Sequence, residues 1–88
     1  MRLSQEKRDK ISEQVLSFLY HIYPQARFTA ELAREIVRDE EFVKVMLFEL
    51  KNKTLVVSIK QNPKGKFYSR RLRWRLTPQA YQAYKQHV

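Results

Sequence analysis

Lys60, Lys64, Lys66, Arg70, Arg71, Arg73 and Arg75 lie within one short stretch of this chain. From residue 51 onward there are ten lysines and arginines and no acid, whereas residues 1–50 hold eight cations against all nine acids. The formal charge of +9 therefore comes from the second half. The chemistry such side chains can do together is the neutralisation of phosphate. Charge sorted this way points to a polyanionic partner, nucleic acid first and an anionic membrane surface second. Two plainer readings exist: a basic face that serves only solubility, and like charges that keep an exposed sheet edge from pairing with another chain. Arg71, Arg73 and Arg75 alternate, so in a strand they would share one face at intervals of about 7 Å, comparable to successive phosphates. Such contacts give affinity without sequence information.

No other chemistry is written in the residues. Without cysteine there is no disulfide and no thiolate metal site. The single glycine rules out a Gly-rich phosphate loop, and His21 and His87 stand far apart with no carboxylate clustered beside either. No catalytic residue, metal site or cofactor is expected, and the chain reads as a non-enzyme. There is no apolar run near 18 residues and no signal-peptide core in MRLSQEKRDK, so a cytoplasmic protein with no membrane partner is expected.

The elements that must carry the cations follow from periodicity. Ile11, Val15, Phe18, Leu19 and Ile22 fall on one face of a helix over 5–22, with Ser4 as its N-cap and Pro24 as its stop. Leu16, Tyr20 and Tyr23 form a second apolar stripe, which needs something to pack against: the last helix, a partner subunit, or both. Arg27-Phe28 is extended, a short strand. Thr29 is expected to cap a second helix, and Asp39 a third over about 40–53 with Val43, Met46, Leu47 and Leu50 inward. The period then switches to two. Strands over 55–60 and about 67–76 flank a turn at 61–66, and Pro78 opens a last helix lined by Ala80, Tyr81, Tyr84 and Val88. The 88 residues make one domain, α+β, with a three-helix core, a two-stranded hairpin and a C-terminal helix.

The segment Glu31–Val56, ELAREIVRDEEFVKVMLFELKNKTLV, resembles the helix-turn-helix of winged-helix regulators, including the MarR-like group. Glu31-Leu32-Ala33 opens the motif, Asp39 sits at the cap, Val43, Leu47 and Leu50 take core positions, and Leu55-Val56 closes it. Arg75-Leu76-Thr77-Pro78 is similar to the family's link from wing to terminal helix. Val37 and Thr54 stand where that family has glycine, at some cost in backbone comfort. The resemblance is specific for fold and weak for function. It implies a homodimeric regulator of transcription that binds double-stranded DNA, here mainly through the basic wing. Arg34 and Arg38 would touch the backbone, Lys44 would act from the recognition helix, and Leu16, Tyr20, Tyr81 and Tyr84 would pair two copies.

The recognition helix departs from a DNA reader. Its leading turns are Glu40-Glu41-Phe42, and the face opposite the core holds Glu41, Lys44, Val45, Phe48 and Asn52. The alternative function is therefore a protein-interaction module that docks a partner through Phe42, Val45 and Phe48. A third reading is RNA or single-stranded nucleic acid stacked on hairpin aromatics such as Phe67 and Tyr68. Trp74, between Leu72 and Leu76, is expected in the core.

Overall fold

The computed structural model describes residues 4–60 and 71–87. In chain order the elements are α1 (Gln5–Ile22), β1 (Arg27–Phe28), α2 (Thr29–Ile36), α3 (Glu40–Asn52), β2 (Val56–Ile59), β3 (Arg73–Leu76) and α4 (Pro78–Gln86). No helix among the described residues is long and apolar enough to cross a membrane.

Three of the four helices start where a side chain can accept a free backbone N–H. Ser4 Oγ accepts from Lys7 N at 3.2 Å, Asp39 Oδ2 from Phe42 N at 3.0 Å, and Thr77 Oγ1 from Ala80 N at 3.1 Å. The expected cap at Thr29 is not one. Phe28 is the capping position, Thr29 is already helical, and Glu31 reaches back to accept from Phe28 N at 2.9 Å. The Thr29 hydroxyl instead accepts the indole N–H of Trp74 at 2.8 Å.

Helices α2 and α3 end in the same way. Val37 (φ 56°) and Thr54 (φ 61°) are both left-handed, the two positions where the sequence lacks the family's glycine. The residue after each bonds back five positions, Arg38 N to Ala33 O at 2.9 Å and Leu55 N to Leu50 O at 3.0 Å. These bonds occupy carbonyls that a helix end leaves open.

The sheet is three-stranded and antiparallel, in the order β1-β3-β2. The short strand expected at Arg27-Phe28 is β1, and it extends the two-stranded hairpin by pairing Arg27 with Trp74 and Phe28 with Arg73. On the other side Val56 pairs with Leu76 and Ile59 with Arg73. The expected turn at 61–66 and strand residues 67–70 lie outside the described residues, and so do Lys64, Lys66, Arg70, Phe67, Tyr68 and Val88.

Val15 and Leu19 of α1, Leu32 of α2, Val43, Leu47 and Leu50 of α3, and Val56, Trp74 and Leu76 of the sheet form one buried cluster. Each such side chain contributes about 1.5–3 kcal/mol on burial. The packing fixes α3 against the sheet, so the outer face of the helix and the root of the hairpin hold a set position.

Candidate nucleic-acid interface

Chain geometry divides the basic residues into two kinds. Lys60 and Arg71 are exposed, while Arg73 and Arg75 are half-buried. The Arg71 guanidinium lies 4.6 Å from the centre of the Phe28 ring, a contact that orients it while leaving its N–H groups available. Arg73 and Arg75 alternate with buried Trp74 and Leu76, so they project from the opposite face of β3. Arg75 Nη1 donates to Leu76 O at 3.3 Å. Because β3 is flanked on both sides, edge protection does not account for these two arginines.

Arg71 is brought next to the leading end of α3. Phe28, Glu40, Glu41, Lys44, Arg71 and Leu72 line a cleft of about 230 Å³ between the start of α3 and the root of the hairpin. Lys44 is exposed, and so are Arg34 and Arg38 at the end of α2 and in the turn after it. Glu40 and Glu41 sit in the first turn of α3, where the helix dipole favours negative charge.

The apolar residues on the outside of α3 differ among themselves. Val45 is 52% exposed and Phe48 39%, while Phe42 is half-buried. Phe48 stands edge-on to Trp74, ring centres 5.2 Å apart, and roofs the indole. Lys51 Nζ lies 5.9 Å from the Phe48 ring centre and donates to Ser58 Oγ at 3.0 Å. Glu49 faces α1 and pairs with Arg8.

Tyr20, Tyr81 and Tyr84, expected between two copies, meet first within one chain. Tyr20 lies 5.2 Å from Tyr81 and 4.8 Å from Tyr84, and Tyr23 stacks on Tyr81 at 4.1 Å between ring centres. The second apolar stripe of α1 thus packs on α4. The Tyr84 hydroxyl donates to Glu13 Oε1 at 2.9 Å. Its pKa is raised: a bond with Ser17 pulls it down, but the bond to Glu13, partial burial and the Glu13 charge together push it up further. Leu16 is half-buried and lines an apolar groove of about 340 Å³ with Leu55, Leu76, Ala80 and Ala83.

Sequence reasoning missed Phe28 as the platform for Arg71 and Thr29 as the acceptor for Trp74. Neither has a local signal, since Thr29 and Trp74 are 45 positions apart.

No family model matches the chain, and no curated protein matches it. Solved structures do. A point mutant of ZitR from Lactococcus lactis superposes with a TM-score of 0.64 at 22% identity over 84% of this chain and 48% of that one. A point mutant of MepR from S. aureus gives 0.67 at 20% identity over 93% and 63%. The PcaV transcriptional regulator from Streptomyces coelicolor gives 0.63 at 14% identity over 94% and 51%. The chain thus spans roughly half to two-thirds of these proteins' lengths. The fold that it shares with these MarR-type regulators is the winged helix.

Proposed function

We propose that this domain binds double-stranded DNA as part of a regulator of transcription, working as a homodimer. The observation that carries the reading is the cleft that Arg71 and Lys44 both line, between the basic hairpin root and the leading end of the recognition helix. Lys60, Arg34 and Arg38 are exposed to add phosphate contacts. A second MepR mutant of the same fold, with a TM-score of 0.61 at 19% identity, is bound to an oligodeoxyribonucleotide. The bound partner supplies the negative charge that the second half of the chain lacks.

The test is a titration with duplex DNA, single-stranded DNA and duplex RNA at two salt concentrations. If about four cations meet phosphates, the log–log slope on duplex DNA is roughly −3.6 per protomer. Arg71→Ala should lower affinity and flatten the slope by about 0.9, with a loss of stability no larger than about 1 kcal/mol from the cation–π contact. A salt-independent signal, or tighter binding to RNA or single strands than to duplex DNA, would overturn the proposal.

A further inference from the structure

We infer that the outer face of α3 reads base edges, with Val45 seated on a thymine methyl group and Glu41 accepting from a cytosine amino group. The inference rests on the duplex-DNA reading above. Glu41, Lys44 and Val45 are all exposed and lie one turn or less apart on the side of α3 away from the core. Among the described residues the side chains of Glu41 and Lys44 have no hydrogen-bond or ion-pair partner.

Two features of this face are awkward for other roles. The first is its apolar area. With Val45 at 52% and Phe48 at 39% exposure, the two offer roughly 150 Å² together, against about 800 Å² that each side of a stable protein interface buries. Phe48 is also engaged as the roof of Trp74. Val45, 52% exposed, is the apolar side chain of this face with no such packing role, and its methyl groups are of a size to meet a single base methyl. The second feature is the acid. Glu41 beside the phosphate backbone would weaken binding, but at the floor of the major groove a carboxylate accepts from the cytosine amino group, and an apolar side chain meets the thymine methyl. Leading-end residues of a recognition helix are those that reach base edges. Lys44 and Arg71 line the same cleft as Glu41 and offset its charge against the phosphates on either side. Cβ atoms at positions 41 and 45 are about 5–6 Å apart, one to two base-pair steps. The favoured site therefore holds a cytosine and a thymine within two steps of each other.

The experiment is selection of the wild-type chain on a random-sequence duplex library, followed by replacement of each thymine of the selected site with uracil, which removes only the methyl. Uracil at one position should weaken wild-type binding about fourfold, the worth of one buried methyl. Val45→Ala should bind thymine and uracil duplexes alike, with unchanged affinity for random duplex. Selection with Glu41→Ala should lose the cytosine. Binding without base preference, a uracil effect that persists in Val45→Ala, or a cytosine retained by Glu41→Ala would each overturn the inference while leaving duplex binding standing. No binding to any duplex would overturn both.

Discussion

The Thr29 hydroxyl holds the one polar atom of the largest core side chain. Trp74 is fully buried, and its indole N–H finds Thr29 Oγ1 at 2.8 Å. A buried indole N–H without an acceptor carries a desolvation penalty. Thr29→Val keeps the shape and removes the acceptor, so it should cost about 1–3 kcal/mol. Trp74 is the only tryptophan, so its fluorescence in a urea titration reports the change directly. An unchanged midpoint would mean that the indole is satisfied some other way. The bond also ties β3 to the first turn of α2, immediately after Phe28, on which Arg71 lies. Loss of the acceptor should therefore loosen the seat of a phosphate-binding arginine as well as the core.

Helix ends show where local sequence decides and where it does not. Ser4, Asp39 and Pro78 marked three starts because such signals act within one turn, and Ser4, Asp39 and Thr77 are each seen accepting the bond that a cap accepts. Thr29 broke the pattern because Trp74, 45 positions away, competes for the same hydroxyl. The two missing glycines were legible as well, since a left-handed residue is dictated by the bonds that close α2 and α3. For a β-branched residue that conformation costs about 1–2 kcal/mol. Val37 is 83% exposed, so its side chain contributes little packing in return. Val37→Gly should relieve the strain at an entropic cost of about 0.5–1 kcal/mol, leaving a net gain of up to about 1.5 kcal/mol and a melting temperature several degrees higher. A fall in melting temperature would show that Val37 makes a contact worth more than its strain. The pairing of β1 with β3, and the stacking of the α1 tyrosines on α4, had no such local mark. Arg27-Phe28 was legible as a short strand, but two residues do not name the strand they join, and an apolar stripe names no partner. The basic residues were legible as a set, but not the division between exposed Arg71 and half-buried Arg73 and Arg75, which depends on which neighbours flank β3.

Charge makes the two proposed associations respond to salt in opposite directions. Each chain carries a formal +9 at pH 7, so two copies repel unless DNA lies between them or salt screens them. With the tyrosines of α1 and α4 already stacked within the chain, a second copy would cover what they leave open: the apolar groove lined by Leu16, Leu55, Leu76, Ala80 and Ala83. Burial of apolar surface is not screened. The free protein should therefore dimerise more strongly at about 0.5 M than at about 0.05 M salt, whereas duplex binding weakens over the same range. Sedimentation equilibrium at both salt concentrations measures the first, and the duplex titration the second. Exposed Ala83 distinguishes this surface from others, since Ala83→Arg leaves the core intact yet places a cation at the rim of the groove. It should give a folded monomer at both salt concentrations and weaken duplex binding through loss of the linked second half-site. A dimer that dissociates as salt rises, or one that Ala83→Arg leaves intact, would place the contact on charged surface elsewhere.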